Sequence, residues 1–283
     1  MGIDRDQARF QMQLIDRYLD LLEQTLTGAI LDDIGFQPGE QPELLAHYDE
    51  KRRLLGRDWP QHAHTMIGLT RLRHLRHCID QILKDNIPGD FIETGVWRGG
   101  ACIFMRAMLA AYGVRDRRVW VADSFKGLPP PQPDRFPADT GSSAHKVPFL
   151  AVSLEEVKRN FEKYGLLDEQ VVFLKGWFRD TLPSAPVVQL ALLRLDGDLY
   201  ESTMDALTAL YDKVSPGGFV VVDDYRLPTC QKAIHDFRVS RSISEPLEDI
   251  DLTGAFWRKA AASSHSSADR RADRSASSLA SGL

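Results

Sequence analysis

The chain has 283 residues, of which 43% are hydrophobic and 27% charged, and 35 basic residues stand against 40 acidic ones for a formal net charge of -5. This composition is that of a globular protein and excludes disorder throughout the chain. Because no basic block accompanies the negative net charge, we expect no nucleic-acid partner. The apolar runs are too short to cross a bilayer and the start lacks the apolar centre of a signal peptide, so we expect no membrane partner and a cytoplasmic protein.

The cysteines argue against two kinds of structural cross-link. Cys78, Cys102 and Cys230 are odd in number, widely spaced and free of any CxxC pair. This pattern supports neither a disulfide framework nor a zinc site. We therefore predict three buried thiols that act as small hydrophobic side chains.

The first predicted elements are two helices. Apolar residues recur at helical spacing over residues 6–25, which predicts an amphipathic helix. A Gly- and Pro-containing stretch follows over residues 28–42, and a second helix is predicted over about residues 67–84. We interpret its basic side, formed by Arg71, Arg73 and Arg76, as a solvated surface.

From residue 90 onward, short apolar runs alternate with helical segments. Strands are predicted within residues 90–95, 117–125, 170–176, 187–198 and 217–225, and a closing hairpin within 245–259. Such alternation predicts a doubly wound α/β fold whose parallel sheet is covered on both faces. The Pro- and Gly-rich stretch Lys126 to Phe149 is predicted to be an irregular, mobile lid, and the Ser/Ala/Arg/Asp tail from Ala260 to be disordered.

Ligands of such sheets bind outside the carboxyl ends of the strands, and the first of these ends carries a glycine turn. Glycines 95, 99 and 100 would let the backbone approach a ligand closely and leave helical N–H groups pointing at it. The spacing differs from that of dinucleotide-binding sites, and Glu93 would repel a pyrophosphate. A cationic or zwitterionic ligand fits better, and a purely structural turn is the alternative.

The second strand end carries Asp123. A carboxylate at this position can accept hydrogen bonds from both hydroxyls of a ribose. Together with the glycine turn, it favours a nucleoside cofactor without identifying which one.

Two further strand ends carry Asp196 and the adjacent pair Asp223 and Asp224. The winding of the sheet would bring the three carboxylates to one cleft, where a divalent cation with oxygen ligands, such as Mg²⁺, would balance their charge. Neighbouring side chains of a strand point to opposite faces, so Asp223 and Asp224 can converge only if the chain turns there. In the alternative, one of the pair caps the next helix or binds Arg226.

Several longer strings together resemble the macrocin O-methyltransferase family. They are DWPQHAHTMIGLTRL, DFIETGVWRGGA, VADSFKGLPPP, VSLEEVKRNFEKYG, FLKGWFRDTLP, LLRLDGDLYEST and GGFVVVDDY, in this order. The resemblance implies a Rossmann-like class I methyltransferase fold with a mainly parallel, seven-stranded sheet. It also implies methylation of sugar hydroxyls on macrolide and aminocoumarin antibiotics with S-adenosylmethionine and Mg²⁺, and a homodimer or higher homo-oligomer formed through the N-terminal segment.

The resemblance also assigns site residues. Those implied to bind the cofactor are Thr65, Met66, Glu93, Thr94, Gly95, Val96, Trp97, Gly99, Gly100, Asp123, Ser124, Phe125, Ser153, Gly176, Trp177 and Phe178. Asp196, Asp223 and Asp224 match the metal ligands, and Asp196 also matches the general base. The implied domains are an N-terminal helical extension over residues 1–64, a methyltransferase domain over 65–259 and the tail over 260–283.

We therefore expect an O-methyltransferase that acts on a vicinal diol in the sugar of a glycosylated natural product. A sugar hydroxyl is a weak acid, so both a cation and a carboxylate base are needed to activate it. Two alternatives remain open at this point. One is a catechol-type O-methyltransferase, whose acceptor needs little help from a base, and the other is a cofactor-binding partner without turnover.

Overall fold

The computed structural model describes residues 5–36 and 47–260. The helices are α1 (Arg5–Leu26), α2 (Glu50–Leu54), α3 (Gly68–Lys84), α4 (Gly100–Ala111), α5 (Leu154–Lys163), α6 (Phe178–Thr181), α7 (Tyr200–Leu210) and α8 (Pro228–Ser240). The strands are β1 (Gly35–Phe36), β2 (Trp59–Pro60), β3 (Asp90–Thr94), β4 (Val119–Asp123), β5 (Val171–Lys175), β6 (Leu190–Leu195), β7 (Val214–Val222), β8 (Glu248–Asp249) and β9 (Ala255–Arg258). The tail that is predicted to be disordered begins at Ala260, and its residues 261–283 lie outside the described residues.

Seven of the strands form one sheet, in the order β5-β4-β3-β6-β7-β9-β8. The pairs among β5, β4, β3, β6 and β7 are parallel, and the hairpin of β8 and β9 adds two antiparallel strands at one edge. This confirms the predicted α/β fold with a mainly parallel, seven-stranded sheet. Since the chain leaves β3 toward β4 on one side and returns to β6 on the other, the strand order reverses beside β3, where open sheets bind ligands.

Alternate residues of the strands face two separate cores. Phe91, Val121 and Leu192 pack with α1, α3, α4 and α5, whereas Ile92 and Leu193 pack with α7 and α8 on the opposite face. This alternation follows from the two-residue period of a strand. Because both faces are covered, the central strands are buried along nearly their whole length, as the continuous apolar runs in the sequence predict.

The bounds of α1 and α3 agree closely with the two predicted helices. The interpretation of the basic side of α3 as a solvated surface is wrong. The Arg71 side chain is only 7% exposed and binds two aspartates. Arg76 binds three acidic residues of α1, which are Asp16, Asp20 and Glu23. Arg73 remains half exposed and pairs with Glu23. Arg73 and Arg76 therefore join α3 to α1, Arg71 joins it to Asp223 and Asp251, and only Arg73 remains half exposed to solvent.

The predictions for the cysteines, for the closing hairpin and for the irregular stretch are confirmed. All three cysteines are free and buried, and the predicted closing hairpin forms between Glu248 and Arg258. The stretch Lys126 to Phe149 contains only short 3-10 turns, as its proline and glycine content indicates. Among the described residues, no helix is both long and apolar enough to traverse a lipid bilayer.

Candidate active site

The carboxyl ends of the five parallel strands lie level with one another and border a single cavity. The register pairs Thr94 with Leu195, Leu195 with Val222, and Asp123 with Lys175. The cavity above these ends has a volume of about 330 Å³. Its place at the reversal of strand order agrees with the general rule for open α/β sheets.

The glycine turn after β3 is shaped to bring the backbone close to neighbouring segments. Gly95 and Gly99 have φ angles of +91° and +86°, and Trp97 between them also has a positive φ of 47°. A Cβ added to Gly95 would lie 1.7 Å from the backbone oxygen of Asp196, so no side chain fits there. The turn thereby places its backbone and Trp97 at the cavity, with α4 beginning directly after it at Gly100.

Asp123 supports this turn as well as lining the cavity. One of its carboxylate oxygens accepts a hydrogen bond from the backbone N–H of Val96 at 2.8 Å, and the other accepts one from Phe125 at 2.6 Å. Burial raises the pKa of Asp123, and these backbone donors oppose that rise. Each oxygen retains a further lone pair, so the carboxylate can still accept the ribose hydroxyls that the sequence predicts.

Glu93 lies below the cavity instead of lining it. Its carboxylate is 2% exposed, accepts a hydrogen bond from Arg194 and lies 2.8 Å from the Cys102 sulfur. Burial raises the pKa of Glu93 to about 7, and the charge of Arg194 opposes the rise. The contact of Glu93 with the cofactor that the resemblance implies would therefore be indirect, through the turn that it underlies.

Three aspartates converge at the ends of β6 and β7, as predicted. One carboxylate oxygen from each of Asp196, Asp223 and Asp224 lies within 4.8 Å of the others. The adjacent pair can converge because β7 ends at Val222 and the chain turns directly afterwards. The alternative pairing with Arg226 is absent, since the Arg226 guanidinium binds Asp249.

The electrostatics of this cluster favour a cation. Burial and then the charge of Asp198 raise the pKa of Asp224 well above its ordinary value, and burial also raises the pKa of Asp223. The Oδ2 atom of Asp224 is buried and has no hydrogen-bond partner among the described residues. Oxygen ligands at this spacing, one of them unpartnered, suit a hard divalent cation such as Mg²⁺.

Some of the residues assigned from the sequence border the cavity and others do not. Those that border it are Met66, Gly95, Trp97, Asp123, Ser124, Gly176, Trp177, Phe178, Asp196, Asp223 and Asp224. Those that do not are Thr65, Glu93, Thr94, Val96, Gly99, Gly100, Phe125 and Ser153. Several members of the second group shape the turn: Gly100 binds the backbone of His64, and Val96 and Phe125 bind Asp123. Ser153 instead caps α5.

The cavity also has walls that sequence reasoning did not assign. Trp59 reaches it from the N-terminal segment, Arg71 from α3, Leu128 from the predicted lid, Leu150 from the position just after the lid, and Glu201 from α7. The string that contains Trp59 is part of the family resemblance, so a role for it could have been suspected. Arg71 and Glu201 also lie in strings of that resemblance, DWPQHAHTMIGLTRL and LLRLDGDLYEST, but helical periodicity by itself marks neither residue.

Comparison with known proteins relates this site to one family. The profile of the macrocin O-methyltransferase (TylF) family matches residues 15–259. A tetracenomycin-C rhamnosyl 4'-O-methyltransferase of Streptomyces olivaceus is 54% identical over 256 residues, which cover 89% of this chain and 95% of the relative. The mycinamicin III 3''-O-methyltransferase of Micromonospora griseorubida is 50% identical over 87% of this chain and 98% of its own.

A solved structure agrees with these matches. The O-methyltransferase NovP superposes with a TM-score of 0.82 at 51% identity, covering 87% of this chain and 99% of NovP. Both the sequence and the fold of the matched region are therefore shared over most of each chain. The protein belongs to the macrocin O-methyltransferase family and is an O-methyltransferase.

Proposed function

We propose that this O-methyltransferase methylates a sugar hydroxyl of a glycosylated natural product, with S-adenosylmethionine as donor and a Mg²⁺ ion held by Asp196, Asp223 and Asp224. The observation that carries the proposal is the convergence of these three carboxylates beside the glycine turn, in one cavity. The relatives support the substrate class, because their names specify sugar positions of a tetracenomycin and a mycinamicin.

Two bound groups would supply chemistry that side chains lack. S-adenosylmethionine supplies an electrophilic methyl group, and Mg²⁺ supplies positive charge that lowers the pKa of a hydroxyl beside it. The residues fit both groups: Gly95, Trp97 and Asp123 line one cavity beside the acidic cluster, and the unpartnered Oδ2 of Asp224 needs a positive neighbour. We assign the cofactor to the cavity residues from Met66 to Phe178 named above, with Asp123 at the ribose.

Asp196 is the residue best suited to take the proton of the acceptor hydroxyl. Its side chain is 26% exposed, compared with 7% for Asp223. Its Oδ2 accepts a hydrogen bond from Arg194 at 2.7 Å, which fixes the carboxylate and leaves Oδ1 available to an acceptor. A positioned carboxylate base typically contributes 10²- to 10⁴-fold, roughly, to the rate of such a step.

The remaining contribution of the protein is alignment. The acceptor oxygen, the methyl carbon and the sulfur must be nearly collinear, and holding reactants in such geometry can supply roughly 7 to 11 kcal/mol of the barrier. Trp59, Leu128 and Leu150 form the apolar wall of the cavity and would hold the acceptor against the carboxylates. We therefore place the sugar between this wall and Asp196.

The name of the Streptomyces olivaceus relative refines the expected acceptor. Its sugar is a 2,3-dimethoxy rhamnosyl group methylated at the 4' oxygen, so the neighbouring oxygen of that acceptor is already an ether. An ether oxygen can still ligate a cation. We therefore propose that the acceptor presents two adjacent oxygens, of which only the one that is methylated must be a hydroxyl.

The proposal is tested by methyl transfer to two acceptors. A rhamnosylated polyketide and a simple catechol are each incubated with S-adenosylmethionine and Mg²⁺, and then after chelation by EDTA. We expect turnover with the glycosylated acceptor, its loss on chelation and its recovery when Mg²⁺ is restored. Turnover that survives chelation would refute the requirement for a metal ion. Faster turnover with the catechol than with the glycosylated compound would refute the assignment of a sugar hydroxyl as the acceptor.

A further inference from the structure

Arg71 occupies a slot that is built for its side chain. Gly56 lies on one side, where an added Cβ would be 2.3 Å from Nη2 of Arg71, and Gly254 lies on the other, where a Cβ would be 3.1 Å from its Cδ. The two glycines come from different parts of the chain, one before α3 and one in the loop between β8 and β9. A Cβ at residue 56 would displace the guanidinium, and one at residue 254 would require the arginine to shift by a few tenths of an ångström.

The guanidinium in this slot joins three segments. Nη1 donates to Oδ2 of Asp223, Nε lies 3.2 Å from Oδ2 of Asp251, and Nη2 donates to the backbone oxygen of Gly56 at 3.3 Å. Asp251 is itself fixed, because its Oδ1 accepts hydrogen bonds from the backbone of Thr253 and Gly254 at 2.7 and 2.8 Å. The chain Asp251–Arg71–Asp223 thus anchors one carboxylate of the acidic cluster to the edge of the sheet.

The other oxygen of Asp223 is also held. Arg194 donates to Oδ1, and the same guanidinium binds Asp196. Each carboxylate oxygen of Asp223 therefore accepts a hydrogen bond from an arginine and keeps one lone pair available to a cation. Groups that orient a metal ligand from behind commonly change metal affinity about 10- to 100-fold when removed.

We infer that Arg71 is a positioning residue, which holds Asp223 in the orientation that binds the cation and so makes α3 a part of that site. This inference rests on the proposed function, since it presumes that the cation binds at the three aspartates. Two effects of Arg71 oppose each other. Its hydrogen bond orients Asp223, whereas its positive charge repels a cation nearby.

Orientation outweighs repulsion because the charge of Arg71 is already partly balanced. Asp251 ion-pairs with Nε of the same guanidinium whose Nη1 binds Asp223, so Asp251 offsets part of the positive charge of Arg71. Loss of Arg71 would leave Asp223 held on one oxygen only. The sign of the change in affinity therefore distinguishes the two effects.

The test is the binding of Mn²⁺, a paramagnetic substitute for Mg²⁺, measured by calorimetry and electron paramagnetic resonance on the full chain. In Arg71→Met we expect a Kd for Mn²⁺ raised at least 10-fold and an affinity for S-adenosylmethionine close to that of the wild type. The thermal midpoint should fall, because Asp223 and Asp251 lose a buried partner. Arg71→Lys, which keeps one donor and the charge, should recover part of the affinity. Arg73→Met, on the half-exposed side of α3, should bind Mn²⁺ as the wild type does.

A charge-balanced double variant, Arg71→Met with Asp251→Asn, removes both charges and keeps an oxygen for the turn at Thr253. It should still lose at least 10-fold in affinity, and it also serves if the single methionine variant does not fold. An affinity that is unchanged or higher in Arg71→Met and in the double variant would overturn the inference. Failure of the wild type to bind Mn²⁺ would instead refute the proposed metal site, so the two failures are distinguishable.

Discussion

The carboxylate of Asp139, in the connection between β4 and α5, binds the backbone N–H of Tyr200 at 2.7 Å, and its second oxygen binds the next N–H of α7 at 3.0 Å. Asp139 is fully buried and supplies from a distant segment the cap that α7 lacks locally. Gln132 of the same connection binds Glu201 at 2.9 Å. The segment predicted to be a lid is thus attached at its middle to a helix that borders the cavity.

Replacement of Asp139 by alanine should loosen this attachment. Loss of a helix cap costs about 1 to 2 kcal/mol, and the unpaired N–H groups would be buried, so we expect a loss of unfolding free energy at the upper end of that range. Limited proteolysis should cut within residues 126–149 faster, and the KM for the acceptor should rise. Asp134→Ala, at an exposed position of the same segment, should change neither, and equal cleavage rates in the two variants would contradict the prediction.

A second attachment is aromatic. The ring of Phe149 stacks on Trp59 with a centroid distance of 5.5 Å and an interplanar angle of 7°, and it lies 5.4 Å from Trp97. The backbone oxygen of Phe149 also accepts a hydrogen bond from the Trp97 indole at 2.9 Å. The end of the lid, the N-terminal segment and the glycine turn are joined through these rings.

Phe149→Ala should therefore act on both stability and acceptor binding. Each aromatic pair contributes about 0.5 to 1.5 kcal/mol beyond the area that it buries, so a loss of roughly 1 to 3 kcal/mol is expected in chemical unfolding. The acceptor KM should rise because Trp59 loses the ring that supports it. Phe149→Tyr keeps the ring and should behave as the wild type, whereas an equally impaired tyrosine variant would show that stacking is not the cause.

Asp196→Asn separates chemistry from cofactor binding. The amide is nearly the same size but cannot take a proton, so turnover should fall about 10²- to 10⁴-fold, while the Kd for S-adenosylmethionine measured by calorimetry should change little. Asp212→Asn, at an exposed position paired with Arg241, is the matched control. Unchanged turnover in Asp196→Asn would remove this residue from the role of base.

Much of the fold follows from local sequence patterns. The strands at Asp90–Thr94 and Leu190–Leu195 are short, mainly apolar runs bounded by glycine, proline and acidic residues. Such runs are typical of strands that are buried on both faces of a parallel sheet. The convergence of Asp196 with the pair after β7 follows from the parallel order of these strands. A resemblance to a family adds the chemistry, which periodicity alone does not contain.

The remaining features are contacts between distant segments. Arg71 lies on a helix whose periodicity separates apolar from charged positions. This pattern cannot show that Asp223 and Asp251 lie close to the charged side of the helix and bind Arg71. Glu93 lies near the end of a strand, where a ligand-binding acid could lie, but its carboxylate binds Arg194 of the neighbouring strand below the cavity. In each case the orientation of the charged side chain depends on an ion-pair partner more than 100 positions away in the sequence.

The buried carboxyl of Glu93 predicts a specific pH dependence of stability. Burial raises its pKa from 4.5 to about 7, so between these values the unfolded chain releases a proton that the folded protein retains. The carboxyl of Glu93 therefore stabilises the folded state most below pH 4.5. Its contribution to the free energy of unfolding falls as the pH rises from 4.5 to about 7 and is constant above that pH. Relative to Glu93→Gln, the wild type should therefore lose about 3 kcal/mol of unfolding free energy across that window. Urea unfolding from about pH 5 to about pH 8 measures the difference, with Glu155→Gln at an exposed position of α5 as control. Parallel pH profiles for wild type and Glu93→Gln would show that the carboxyl is ionised throughout and held by Arg194 alone.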